Sequence, residues 1–353
     1  MEQEITIQNR FRGLMIGTAV GDSLGLPFEG ISSRRIKKLT NARMKHKLIF
    51  NRGMLSDDTE HTIFVAQSLL SYPESSKLFA RRLSMCLRWW MISLPAGIGW
   101  ATLRAIFKLW IGFPPSKSGV YSAGNGPAMR SAILGAFFAN ASKEIMDDYI
   151  FASTIITHTD PKAFIGAKAV SYIASWAFRE NLTNKPDITS LINVLKDVDN
   201  KDNDWINLVN LISNADSKNL SVEEFARSIG LSKGVTGYIY HTIPIAIYAW
   251  YRHFGDFEKA ITSVIKCGGD TDTVAAITGA ISGATVGDKG IPEDWIQNIW
   301  DWPRNIKLLD SISYNLSNKG YKVSYFYPGV FIRNIFFLII VLLHGFRRLF
   351  PPY

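Results

Sequence analysis

Four glycines spaced four residues apart, Gly13, Gly17, Gly21 and Gly25 in "RGLMIGTAVGDSLGLPFEG", constrain this chain more than any other feature. At that spacing they share one face of a helix. Each costs a helix about 0.5–1 kcal/mol relative to alanine, so four in register need a compensating gain. A second stripe, Ala275, Gly279 and Gly283, flanked by Ala276, Ala280 and Ala284, follows the segment "GGDTDT". Close approach of two helix backbones is the economical reason for such stripes.

The rest of the chain is consistent with helices. Apolar residues recur at three- and four-residue spacing almost throughout, and period-two runs bounded by turn pairs are nearly absent. An all-α fold is therefore expected. Loops are predicted at residues 71–76, 113–126, 197–204 and 317–329, none long enough to read as a domain linker. The 353 residues are 47% hydrophobic, enough for a sizeable core, and length alone suggests about two domains. The patterning instead favours one compact helical domain over residues 1–316, with a C-terminal extension over 317–353. In that extension only residues 335–343 form an unbroken apolar run, interrupted by Arg333 and Asn334 before it and His344 after it. This is well short of the ~20 residues a bilayer crossing needs. A short hydrophobic helix docked on the protein's own body is expected. Weak contact with a membrane surface through its apolar face and Arg347/Arg348, or a true anchor, are the alternatives.

Charge and cysteine content narrow the function classes. The net charge is +9 but the basic residues are scattered. That pattern reads as solubility with a mild attraction for anions, and no stable nucleic-acid complex is expected. The two cysteines, Cys86 and Cys267, offer neither a disulfide framework nor a zinc finger, which fits a reducing cytoplasm. An N-terminus of acidic residues without an apolar stretch predicts no secretory signal.

Carboxylates gather at two predicted helix starts. In "SDDTEHTIFVAQSLL", Ser56 can serve as N-cap, with Asp57 and Asp58 in the first turn. Taken alone, dipole and capping chemistry explain that pattern. In "GGDTDT", Asp270 and Asp272 would diverge on a regular helix, but a glycine-hinged loop lets their carboxylates converge with the Thr273 hydroxyl. Hard oxygen ligands of this kind suit Mg²⁺ or Mn²⁺. Were the two loops to meet, four carboxylates would repel one another without cations, and two metals would relieve the repulsion. A third element, "SAGNGPAMRSAILGAF", carries Gly124, Asn125 and Gly126 ahead of Pro127, offering backbone N–H groups to a phosphate, with Arg130 a turn further on. Its spacing matches neither a Walker A loop nor the dinucleotide fingerprint. In "THTDPKAFIGAKA", His158 precedes Pro161, and a lone histidine is more often a structural hydrogen-bond partner than a ligand.

Taken together and in order, "GTAVGDSLGLPFE", "SDDTEHT", "SAGNGPAMR", "THTDPKA" and "GGDTDTVAAITGAISGATVG" resemble the ADP-ribosylglycohydrolase family, which includes the dinitrogenase reductase-activating glycohydrolases. The resemblance implies a compact all-α orthogonal helical bundle with two Mg²⁺ (or Mn²⁺) ions. It implies hydrolysis of the bond between the ribose anomeric carbon of ADP-ribose and a protein side chain or another acceptor, with arginine-linked, serine-linked, nucleic-acid-linked and small-molecule acceptors all open. By position, it implies metal ligands at Ser56, Asp57, Asp58, Asp270, Asp272 and Thr273. Serine stands at 56 where the family often has threonine, and both supply a hydroxyl. Glu29 matches a glutamate that approaches or gates the site, and Asp58 or Glu29 would manage the proton. The loop of Gly124, Asn125 and Gly126, with His158, matches segments lining the ADP-ribose pocket. The competing expectations are a catalytically silent ADP-ribose-binding relative, a membrane-associated scaffold, and a binuclear-metal hydrolase of another glycoside or phosphate ester.

Overall fold

The computed structural model describes residues 5–40 and 43–350. Among them it has nineteen α-helices, two short 3₁₀ turns and one pair of two-residue strands. The glycine stripes form its axis. The first helix, Ile7–Gly25, and the small-residue helix, Thr271–Val286, pack antiparallel along their whole length. A methyl group at Gly13, Gly17, Gly21 or Gly25 would lie 2.2, 2.1, 2.0 or 2.3 Å from the carbonyl oxygens of Gly283, Gly279, Ala275 and Thr271. The reverse clash holds at Gly279 and Gly283. No side chain larger than hydrogen fits, so the helix cost of glycine is offset by backbone-to-backbone packing.

Neither axial helix has a polar face. Every residue from Thr271 to Thr285 is buried, as are Arg10, Phe11 and all positions from Gly13 to Gly25. A pair buried all round belongs at the centre of a bundle. Around it pack the helices Pro161–Arg179, Ile239–Arg252, Phe257–Cys267 and Ile306–Ser317. Arg10, buried with them, donates to the carbonyls of Ala284 (2.7 Å) and Thr285 (3.2 Å) near the C-terminus of the small-residue helix, where orphan acceptors need a donor.

The small-residue helix begins at the site loop. Gly268 and Gly269 have φ of +75° and +86°, and a Cβ on Gly269 would meet the Val235 oxygen at 1.9 Å. This left-handed pair lets Gly268–Gly269 bond antiparallel to Ile31–Ser32 on one side and to Val235 on the other. Asp270 is thereby aimed back into the molecule, with its N–H on the Val235 carbonyl at 2.8 Å.

The tail differs from the short helix expected of it. Tyr327–Arg347 is one helix of 21 residues. Arg333, Asn334 and His344 do not interrupt it, because all three fall on its inward face and are buried. Arg333 donates to Asp301, Asn334 to the Ser93 carbonyl at 2.9 Å, and His344 shares a hydrogen bond with the Pro27 carbonyl at 3.1 Å.

Candidate functional site

Two helix starts meet where the first helix ends. The acidic-turn helix, Asp57–Ser71, has Ser56 at its N-cap position, but the Ser56 side chain does not cap it. The capping expectation is corrected here: Asp22, from the first helix, reaches across. Its Oδ2 accepts from the N–H of Ser56 (2.9 Å), the N–H of Thr59 (3.2 Å) and the Thr59 hydroxyl. An acceptor from another element therefore satisfies the orphan donors. The Ser56 hydroxyl is left for Asp58, whose Oδ2 accepts from it at 3.3 Å and from the Thr273 hydroxyl at 3.3 Å. Asp58 is 1% exposed and its Oδ1 has no partner. A buried carboxylate oxygen without a donor is costly, and points to a group that this cluster is built to hold.

The second start completes the cluster. Asp272 Oδ1 accepts from the Thr273 N–H at 3.0 Å, and Asp270 Oδ2 accepts from the Asn125 side-chain amide at 2.6 Å. Burial raises the carboxyls of Asp57, Asp58 and Asp272 well above their ordinary range. Mutual repulsion adds to it: Asp22 and Glu60 act on Asp57, Asp57 on Asp58, and Glu29 and Asp270 on Asp272. Asp22 is pushed up to about 6 by burial, against its hydrogen bonds. Among the described residues no three acidic, histidine or cysteine side chains close to the spacing of a single metal. The donor set that does converge is mixed, two hydroxyls around the Asp58 carboxylate with further carboxylates on the cavity side of it. This all-oxygen chemistry fits Mg²⁺ or Mn²⁺, which keep several waters.

These residues form one end of a cavity of about 600 Å³. Ser56, Asp57, Asp270, Asp272, Thr273 and Glu29 line it, as do Gly124, Asn125, Gly126 and His158. The proposed ligands and the glycine loop thus share one pocket, with Asp58 buried behind it. His158 stands against the loop: a Cβ on Gly124 would lie 2.9 Å from its Nε2, and one on Gly126 3.2 Å from its Cε1. Its Nδ1 is hydrogen-bonded with the Thr157 hydroxyl at 2.9 Å. Burial, with the nearby Arg130 charge, lowers its pKa to about 3, so the ring is neutral. Glu29 sits exposed at the rim. Its carboxyl is nevertheless raised by crowding of protein atoms and by Asp270, against the pull of Arg348.

Two expectations about anion binding change. Arg130 is not in the pocket. It is fully buried behind it, donating to the Ser153 carbonyl (3.0 Å) and the Thr157 hydroxyl (2.8 Å) and bonded with His61 Nδ1 (3.1 Å). Two loop N–H groups are also committed, Gly124 to the Ser122 hydroxyl at 3.3 Å and Asn125 to the Gly237 carbonyl at 3.0 Å. Neither lysine nor arginine is among the residues lining the cavity. Asp22 is the functional residue that motif reading passed over. An acid on a helix rich in small residues, with Gly21 and Ser23 on either side of it, was its signal, but its partners lie 34 and 37 positions away.

The sequence profile that matches, over residues 3–319, is that of ADP-ribosylglycohydrolase. An uncharacterized protein of Archaeoglobus fulgidus is 33% identical, covering 84% of this chain and 93% of its own. ADP-ribosylhydrolase ARH3 of Gallus gallus is 25% identical, covering 86% and 92%. A solved structure titled ADP-ribosylglycohydrolase-related protein complex superposes with a TM-score of 0.60 at 23% identity, over 89% of this chain and 98% of that one, which shows the fold.

Proposed function

This chain belongs to the ADP-ribosylglycohydrolase family, and from that premise we propose that it is a metal-dependent hydrolase releasing ADP-ribose from an ADP-ribosylated protein or small molecule. The observation that carries the metal dependence is Asp58, buried, with one carboxylate oxygen unpartnered and the other between the hydroxyls of Ser56 and Thr273. Ser56, Asp57, Asp58, Asp270, Asp272 and Thr273 would hold one or two Mg²⁺ or Mn²⁺ ions. Bound there, the ions supply Lewis-acid stabilisation of developing charge and a more acidic water.

The chain's own groups do the rest. Asn125 fixes the Asp270 carboxylate, and the Asp22 carboxylate holds the turn that presents Asp57 and Asp58. Neutral His158, with Nε2 toward the glycine loop, offers one polar atom to substrate where added side chains would block the cavity. Glu29 stands at the rim with a carboxyl raised above the ordinary range by crowding and by Asp270, so it holds its proton to higher pH than a free glutamate and is placed to hand one to the departing acceptor. Cleavage breaks the bond from the ribose anomeric carbon to the acceptor. The acceptor leaves with a proton, and water delivers hydroxyl to the anomeric carbon through an oxocarbenium-like transition state.

The test is release of free ADP-ribose from arginine-linked and serine-linked substrates, with Mg²⁺ or Mn²⁺ and then with excess EDTA. Metal-dependent release from either supports the reading, and the preferred substrate identifies the acceptor. Release unaffected by EDTA overturns the metal dependence, and no release from any ADP-ribosylated substrate by folded, metal-loaded protein overturns the activity.

A further inference from the structure

The tail helix, Tyr327–Arg347, is amphipathic in the inverse sense for a protein in water. Its inward stripe carries the polar residues Arg333, Asn334 and His344, all buried. Its outward face is apolar: Ile332, Ile335, Phe336, Ile339, Leu342 and Leu343 are exposed, Phe336 at 61% and Leu343 at 63%. Water-facing helices place these classes the other way round. A helix that turns its polar residues toward protein and its large apolar ones outward is arranged for an apolar surrounding.

The surface continues beyond this helix. Helices Ser76–Ile92 and Trp100–Trp110 border it: Asn334 bonds the Ser93 carbonyl, Trp89 and Ile92 share a cleft with Phe331, and Trp100 shares a cavity with Phe337 and Val341. Trp89, Ile92, Leu94 and Trp100 are all exposed, Trp100 at 71%. The two chain stretches that build this surface carry one sign of charge, with Glu29 the acid beside Arg348 at its far end. Residues 75–143 and 311–353, which supply the tail helix and this flank, contain no aspartate or glutamate. Arg82 and Lys322 line the cleft beside Phe331, and the Arg88 guanidinium lies over the Trp110 ring at 5.6 Å. Exposed tryptophan beside basic residues around an apolar face matches the chemistry of an anionic lipid surface.

We propose that the outward face of the tail helix, with the tryptophan-bearing flank, docks this protein on an anionic lipid bilayer, with the helix lying in the plane of the interface rather than crossing it. By length and composition it could cross, being about 30 Å long. Its contacts forbid that orientation. Arg333 is bound to Asp301 near one end, and near the other His344 shares a hydrogen bond with the Pro27 carbonyl while Arg348 donates to the carbonyls of Pro27 (2.6 Å) and Glu29 (2.7 Å). A crossing helix would break these and place Arg333, Asn334 and His344 in hydrocarbon. A second copy on the same face would set the cationic rims against each other. Phe337 and Val341, on the inner side, line the cavity that holds Asp57 and Asp270. Docking therefore brings that cavity within about one helix diameter, ~10 Å, of the lipid. The tail helix lies outside the residues that match the family.

Flotation of the full chain with phosphatidylcholine vesicles, with and without phosphatidylglycerol, tests the proposal, and its readout is independent of hydrolysis. The expected result is flotation with the anionic vesicles, reduced by salt, and little with the neutral ones. Phe336→Glu with Leu343→Glu, both at exposed positions outside the cavity, should weaken binding by about two orders of magnitude while leaving turnover of a soluble substrate unchanged. Arg88→Glu with Lys322→Glu should remove the preference for anionic lipid. Failure of the wild-type chain to float, or unchanged flotation of the Phe336/Leu343 variant, overturns the proposal. A dimer that this variant dissociates, without vesicle binding, assigns the face to a second copy instead. Resistance to alkaline extraction with protease protection of the C-terminus assigns a crossing helix and overturns the in-plane placement.

Discussion

At the scale of residues, the cluster is a set of carboxylates in an unfavourable state that a cation would relieve. Asp272→Ala removes a buried member of it, so turnover should fall by more than about a hundredfold, with Mn²⁺ affinity lost in a titration. Full activity in that variant would disprove the ligand assignment. Glu29→Gln is the contrasting change: it keeps shape and rim position but removes the proton, so turnover should fall while Mn²⁺ binds as before. Asp22 is a positioning residue. Asp22→Ala strands the N–H groups of Ser56 and Thr59 and should cost about 2–4 kcal/mol, lowering kcat at temperatures far below Tm, while Asp22→Asn keeps an acceptor and should recover most of both. A loss in Tm with kcat intact in Asp22→Ala would reduce its role to stability. The acids at 57, 58, 270 and 272 could be read from sequence because they stand together at helix starts. Asp22 and the buried position of Arg130 could not, since both are settled by which helix crosses which.

At the scale of elements, the glycine stripes were legible because their cost demanded a partner backbone, and each stripe proved to be the other's partner. Gly21→Ala drives a methyl group to 2.0 Å from the Ala275 oxygen, so the axial helices must separate. We expect a loss of more than about 3 kcal/mol in urea unfolding, well beyond the gain in helix propensity. Gly345→Ala is the control. It lies in the tail helix with nothing within 4 Å of an added Cβ, and should be neutral or stabilising by about 0.5–1 kcal/mol. Equal effects at the two positions would refute close packing as the reason for the stripe. The tail helix was the element misjudged, as a run of nine apolar residues bounded by polar breaks. Arg333, Asn334 and His344 looked like interruptions because polarity was assumed to face water. Asp301, Ser93 and Pro27 receive them instead, and none of these pairings is local in sequence.

At the scale of the whole molecule, folding must hold the acidic cluster together, and pH shows at what cost. Asp22, Asp57, Asp58 and Asp272 keep their protons to higher pH in the native chain than in the unfolded one, where an aspartate titrates near about 3.9. Between the unfolded and native values the native state binds more protons, so stability falls as pH rises through that window. The buried histidines act in the opposite direction. His158 at about 3 and His61, held well below its ordinary range, stay neutral when folded, so their contribution to stability grows as pH rises and is complete above about 6.5. A melting curve in EDTA alone mixes the two. The difference in Tm between Mg²⁺ and EDTA separates them, because the cation acts on the carboxylates and leaves His61 and His158 neutral. That difference should widen as pH rises through about 6, where Asp22 loses its proton, and beyond as the other carboxylates follow, because each deprotonation adds repulsion that only the cation offsets. In Asp272→Asn, with one charge fewer, it should be smaller at every pH. A difference constant with pH would mean that Mg²⁺ binds elsewhere, and the reading of this cluster as a metal centre would fall with it.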